Sequence, residues 1–262
     1  MYSLEHKKFL RKNKIYNLKI RLIQLLIIIL FIIVWQFLAD KNIINTFIFS
    51  SPKKVVECLI SLHKGNNLYN HIGITVWETF LSFSLGTIIG LFIATIMWFF
   101  KSFAKVIDPY LTVLNSLPKV ALGPIIIIWA GAGMKSIILM ALLISVIITI
   151  INVYQGFSET DYNKIKLMKS FKANNFQIFF KLILPSNLKV FISSLKINIS
   201  MSLIGVIMGE FLVSKEGIGY LIMYGSQVFN LDLVITGIFI LCVVVALMYY
   251  AVLYIERKIV HE

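Results

Sequence analysis

Two ionisable residues sit where a chain would not casually place them. Lys196 and Glu210 lie in one apolar run, LKVFISSLKINISMSLIGVIMGEFL, with Ser200 on the same side. On the opposite side Ser194, Asn198, Ser202, Gly205 and Gly209 recur at helical spacing. Charges and amides inside an apolar segment either line a path for an ion or solute or pair with one another. Lys196, Asn198, Ser202 and Glu210 are therefore the candidate pathway residues, with snorkelling or a carbonyl partner as the alternative for Lys196. Covalent chemistry has less to work with. His6, His63, His71 and His261 are scattered, and Cys58 and Cys242 are too few and too separated for a metal site. No phosphate-cradling glycine loop and no nucleophile–base motif occurs. The sequence thus predicts a chain with no catalytic, metal or cofactor residues of its own.

The elements that must carry these residues follow from composition. Of 262 residues, 59% are hydrophobic and only 14% charged, with a mean hydropathy of +0.88. A soluble domain carries roughly a quarter charged residues, so the solvent is a bilayer. A crossing helix needs ~20 mostly apolar residues. Six stretches qualify: residues 22–38, 76–100, 106–129, 136–157, 188–212 and 233–255. Pro118 and the Gly123-Pro124 pair interrupt the third. The first run is longer than the apolar core of a signal peptide, and the sequence after it, WQFLADKN, offers no small-residue cleavage site. It is expected to be an uncleaved span. The predicted class is an all-α membrane protein of six transmembrane helices. Residues 1–21 form a basic leader, 22–255 the membrane domain and 256–262 a short tail.

Net charge is +13, which could signal nucleic acid, but its placement argues otherwise. Lysines and arginines crowd before the first span, in the loop between spans two and three (Lys101, Lys105), between spans four and five, and after span six (Arg257, Lys258). Positive charge marks the cytoplasmic side. Both termini and the 4–5 loop are therefore expected in the cytoplasm of a multi-pass protein of the cell membrane, with no nucleic-acid partner. Span two carries Ser82, Gly86, Gly90 and Ala94, four apart, a small-residue ridge that lets helices approach closely in lipid. Residues 45–70 fall on the far side. There Ser51 is a candidate N-cap with Pro52 at the first helical position, opening a helix that could lie in the interface.

The loop after span four is too short and too charged to cross. In DYNKIKLMKSF, Asp161 is a plausible cap, and Lys166 and Lys169 form a basic edge running to Phe171. KANN follows, Lys172 to Asn175. Asparagine tolerates a left-handed turn and caps helices, so Asn174 and Asn175 are expected to end one helix and start the next. Phe176, Phe179, Phe180 and Ile183 then fall on one apolar stripe, with Gln177 and Lys181 opposite, and Pro185 is expected to close the helix. Residues 159–185 thus form a helix–turn–helix elbow whose stripe needs a partner. Lipid headgroups and a protein cleft would both serve.

The elbow resembles the cytoplasmic loop of the ABC-transporter permeases, the membrane components of binding-protein-dependent importers. Their pattern, E-A-A followed by G and closing in I-x-L-P, is met at Leu182, Leu184 and Pro185. This chain departs from it at Lys166, Leu167 and Met168 and has Lys172 in place of glycine. Three further segments are similar to the nitrate, sulfonate and taurine type: HIGITVWETFLSFSLGTIIG, LNSLPKVALGPIIIIWAGAG, and GEFLVSKEGIGYLI with Glu210, Gly217 and Gly219. Together they cover about residues 51–255. The resemblance implies a permease subunit of an ATP-driven importer, working with a second permease copy, two cytoplasmic ATPases that bind ATP and magnesium, and an extracellular solute-binding protein. It implies that the elbow, from Lys166 through Ala173 to Phe180, is the coupling helix. The implied cargo is a small organic anion, or a pyrimidine or thiamine precursor. A self-contained secondary transporter or a membrane scaffold is the alternative class.

Overall fold

The computed structural model describes residues 4–65 and 67–260. The described residues form helices and connecting turns, with no strand among them. Helix α1, Leu4–Asp40, is one continuous rod. The basic leader expected as a separate segment is the first part of that rod. Lysine and arginine are good helix formers, and neither glycine nor proline occurs between Leu4 and Asp40. Its apolar residues from Leu22 to Ile33 are exposed, as lipid-facing side chains are.

A short α2, Thr46–Phe49, leads into α3, Pro52–Lys64. The Lys54 N–H donates to Ser51 Oγ at 3.3 Å, and Pro52 opens the helix. This helix is docked rather than free in an interface. Thr236 Oγ1 donates to the Val55 carbonyl at 3.5 Å, Lys54 lies 3.8 Å from Asp232, and Leu59 and Leu62 pack on Ile218, Ile240 and Val244.

Helix α4 is Asn67–Phe99 and begins nine residues before the expected start of span two. Next come α5, Lys101–Ser116, a 3-10 turn, Lys119–Leu122, and α6, Gly123–Ala130. The expected third span is thus two pieces bent by 90°. Pro118 forces this, because the residue before a proline is pushed to extended backbone, and Leu117 has ψ 141°. The remaining elements are α7, Met134–Ser158; α8, Tyr162–Ser170; α9, Asn175–Ile178; a π turn, Phe179–Ile183; α10, Leu184–Ser186; α11, Leu188–Val213; α12, Ile218–Gln227; and α13, Leu231–Val260. Five described helices are long and apolar enough to cross a membrane, and the bent pair makes a sixth crossing if counted as one.

Helices α4, α7 and α11 form the centre. Ser82, Gly86, Gly90 and Ala94 are all buried. A Cβ at Gly86 would stand 2.6 Å from Ser145 Oγ, and one at Gly90 2.6 Å from Thr149 Cγ2. From α11, Gly205 lies against the backbone of Ala141, and Gly209 would place a Cβ 2.9 Å from Ile137 Cα. Helix backbones meet here because side chains are missing, the usual solution where lipid supplies no hydrophobic drive.

Gly205→Val must push α11 off α7, since the opposing atoms are backbone. Overfilling a packed contact costs about 1–3 kcal/mol. The detergent-extracted chain should therefore unfold several degrees earlier, whereas Gly73→Ala, with nothing within 4 Å of its Cβ position, should unfold at the wild-type temperature. Equal melting of the two variants would contradict this packing.

Candidate functional site

The elbow is built from two capped helices and one left-handed residue. The Asn163 N–H donates to Asp161 Oδ1 at 2.8 Å and starts α8. At its end Lys172 takes φ +57°. Its N–H donates to the Lys169 carbonyl at 2.9 Å and that of Ala173 to Met168 at 3.1 Å. This pair of bonds is a Schellman closure, and Met168 and Ala173 both pack against the core cluster that holds Ile178, Phe179 and Ile183. The turn residue is therefore Lys172 itself, in the position where the family pattern has glycine, and not an asparagine. Asn174 serves only the next helix. It accepts from the Gln177 N–H at 2.8 Å, while Gln177 Oε1 accepts from the Asn174 N–H at 2.9 Å, a reciprocal cap. Asn175 is the first residue of α9.

The expected aromatic stripe divides in two. Phe179 is 2% exposed, with its ring centroid 5.1 Å from Trp98, 5.2 Å from Phe99 and 5.3 Å from Phe157. Ile178 and Ile183 join it against Ala94 of α4 and Val153 of α7. Phe176 and Phe180 stack on each other at 6.1 Å and stay more than half exposed, although Phe176 also lies 5.1 Å from Phe99 and Phe180 5.3 Å from Phe179. Helical spacing accommodates the split: Phe179 and Ile183, four apart, take the inner edge of the stripe, and Phe176 and Phe180, also four apart, the outer edge. Pro185 does not close the helix, which continues to Ser186. The break comes at Asn187, whose side-chain amide donates to Thr160 Oγ1 at 2.7 Å and to the Ile183 carbonyl at 2.8 Å. It joins the two ends of the elbow, a role that sequence spacing did not reveal. The tip is left with exposed Leu167, Phe171, Phe176 and Phe180 among exposed Lys166, Lys169 and Lys181.

The candidate pathway residues are not gathered in one cavity. Lys196 Nζ donates to Glu256 Oε1 at 2.7 Å and ties α11 to α13. Asn198 donates to Thr87 Oγ1 at 2.7 Å and to the Phe83 carbonyl at 3.3 Å, and Ser202 donates to Asn198 Oδ1 at 3.3 Å. Glu210 caps α12: Thr75 Oγ1 donates to its Oε1 at 2.6 Å and the Gly219 N–H to its Oε2 at 2.5 Å. Thr75 Oγ1 in turn accepts the Ile218 N–H at 2.8 Å, and His71 Nδ1 accepts that of Gly217 at 3.0 Å. Gly217 and Gly219 are required because a Cβ at either would collide with the Glu210 carboxyl. In their observed contacts Lys196, Asn198 and Glu210 join helices, while Ser202 bonds within α11.

The cavity lies elsewhere. A cleft of about 930 Å³ opens at the end of α4 remote from the elbow, between Tyr69, Trp77 and Glu78, the turn at Gly133 and Met134, and residues 213–216. Glu78 was not among the expected site residues. The signal was available, because it is a carboxyl inside the apolar run of span two.

The described residues thus form an all-helical bundle with an elbow at one end and a cleft at the other. Residues 86–261 match the family described as "Binding-protein-dependent transport system inner membrane component". The chain belongs to that family and is a multi-pass membrane protein. A probable ABC transporter permease protein of Haemophilus influenzae is 30% identical over 90% of this chain and 96% of its own length. A putative aliphatic sulfonates transport permease of Bacillus subtilis is 27% identical over 87% and 83%. A formylaminopyrimidine transport permease of Halalkalibacterium halodurans is 25% identical over 74% and 77%. The solved inward-facing MetNI methionine ABC transporter has the same fold, with a TM-score of 0.67 at 19% identity, covering 73% of this chain and 95% of that one.

A left-handed non-glycine residue costs roughly 1–2 kcal/mol. Lys172→Gly should therefore stabilise the elbow by about 1 kcal/mol, and Lys172→Val should destabilise it. Hydrogen exchange of the Ala173 amide reads this directly: slower exchange is expected in the glycine variant, and faster exchange there would contradict the turn.

Proposed function

We propose that this chain is the permease subunit of an ATP-driven importer of a small solute and that the elbow is its coupling helix. The carrying observation is the division of the elbow into a base and a tip. Phe179, Ile178 and Ile183 anchor the base to α4 and α7, with Phe176 resting on Phe99 at 5.1 Å, while Phe171 and the outer surfaces of Phe176 and Phe180 stay exposed among lysines. A lever needs one end fixed and one end gripped. Membrane headgroups would explain an exposed tip but not a base wedged between the ends of two core helices.

In this reading the elbow and both termini face the cytoplasm, consistent with the lysine distribution. The tip enters a cleft of a separate ATPase, which binds ATP and magnesium and carries out hydrolysis. Two permease copies and two ATPases form the complex, and an extracellular binding protein delivers solute to the cleft at the remote end. ATP binding acts by favouring one arrangement of the two copies over another. The relatives' names divide between sulfonates and formylaminopyrimidine at 27% and 25% identity, so the cargo must be read from the chemistry of the cleft.

Phe171→Asp combined with Leu167→Asp changes exposed positions of the tip, so insertion and folding should persist. Loss of a central aromatic anchor commonly costs 2 kcal/mol or more. Recovery of the ATPase with the solubilised permease should fall about tenfold or further, and ATP-dependent uptake should fall with it. Wild-type recovery and uptake in the double variant would refute the coupling role.

A further inference from the structure

Two carboxyls meet at the floor of the cleft. Glu78 of α4 and Glu210 of α11 are 3% and 1% exposed, and their side chains lie within hydrogen-bond reach of each other. An ionised carboxyl only accepts hydrogen bonds, whereas a protonated one also donates its O–H. Two ionised carboxyls in contact and away from water repel, so either a proton or a cation must lie between them. The ion pairs among the described residues are Lys54 with Asp232 and Lys196 with Glu256, and neither touches these two groups.

The hydrogen bonds identify the member that carries the proton. Both Glu210 oxygens accept: Oε1 takes the Thr75 hydroxyl at 2.6 Å and Oε2 the Gly219 N–H at 2.5 Å. Those are the bonds of an ionised group, and they fix it over the first turn of α12. Glu78 Oε2 is buried and receives no donor. A carboxyl with such an oxygen, set against an ionised acceptor, is the donor of the pair. Other titratable side chains on the surrounding elements are engaged elsewhere or exposed. His71 of α4 accepts the Gly217 N–H, Tyr220 of α12 stacks on His71, and Glu216 accepts from Asn70. His63 of α3 packs on Tyr69, and Lys135 of α7 and Lys215 are exposed.

We propose that Glu78 and Glu210 share one proton, held on Glu78 and donated to Glu210, and that this proton latches α4 to α11 and to the start of α12 at the cleft floor. Glu78 lines the cleft, so the solution on that side reaches the latch through it. On release the Glu78 O–H bond breaks, the proton passes to water in the cleft, and two carboxylates are left in contact. Their repulsion parts α4 from α11 at the cleft end, while the close contacts of Gly90 and Gly205 further along hold both helices against α7. The proton therefore sets how far the cleft opens. Its bearing on uptake rests on the importer reading given above.

The test uses the permease assembled with its ATPase in lipid nanodiscs. The infrared carbonyl band of a protonated carboxylic acid should be present near neutral pH, vanish reversibly as the pH is raised, and be missing from Glu78→Gln. The glutamine amide supplies an N–H where the acid supplied its O–H, so this variant should fold and melt at the wild-type temperature near neutral pH. Spin labels at Tyr69 and Lys215, exposed positions lining the cleft, with Cys58 and Cys242 replaced, read the latch as a distance. That distance should grow by several ångströms as the pH is raised in the wild type and stay constant in Glu78→Gln. An acid band that is absent or survives Glu78→Gln, or a glutamine variant that does not fold, would overturn the proposal. So would an equal pH response in both proteins, which would point to His71. An absent band with melting raised by sodium ions would give the contact to a metal cation and overturn it equally. A wild-type chain that recovers no ATPase would strike the importer reading instead, and the band and the distance would then be read on the full permease chain.

Discussion

The wedging of Phe179 between the ends of α4 and α7 is the interaction on which the rest depends. Its ring meets three aromatic rings from two core helices, and each such pair adds about 0.5–1.5 kcal/mol beyond buried area. Without that wedge the loop between α7 and α11 would be a tether. With it, the loop is an extension of the core. Asn187 completes the arrangement by bonding across from Thr160, so entry to and exit from the elbow cannot separate independently. A push on the tip is therefore a push on α4 and α7.

The same two helices reach the cleft at the other end, and close contact keeps them rigid on the way. Gly86 and Gly90 on α4 and Gly205 and Gly209 on α11 remove the side chains that would hold the helices apart. Thr75 of α4 and Glu210 of α11 meet over the start of α12, satisfying the N–H groups of Ile218 and Gly219. Movement of α4 therefore carries the N-terminus of α12 with it. Glu210 is a structural cap in this geometry, and Glu78, one helical turn from Thr75, faces the cleft.

Much of the architecture was legible in the sequence. Span positions, the break at Pro118, the elbow's two helices and the small-residue ridge follow from hydropathy, proline chemistry and four-residue spacing. What escaped depends on partners distant in sequence. Lys196 looked like a pathway group until Glu256, sixty residues away, was placed beside it. Glu210 looked free until Gly219 and Thr75 arrived. Periodicity put Phe176 and Phe180 on the same stripe as Phe179, but which edge of that stripe is buried depends on Trp98, Phe99 and Phe157, which lie on other helices. Lys172 shows the limit of residue preference: asparagine is the better left-handed residue, yet the closure that Met168 and Ala173 complete selected the lysine.

The central claim is that the elbow and the core helices move as one body. Pulsed electron spin resonance on the complete transporter, with labels at exposed Lys169 in the elbow and exposed Asn70 at the start of α4, reads this as a distance. The account predicts that the distance within one permease stays constant to within about 2 Å between the nucleotide-free and ATP-trapped states, while the distance between the Lys169 positions of the two copies shortens. A change of several ångströms within the single chain, with the spacing between the two elbows unaltered, would contradict it.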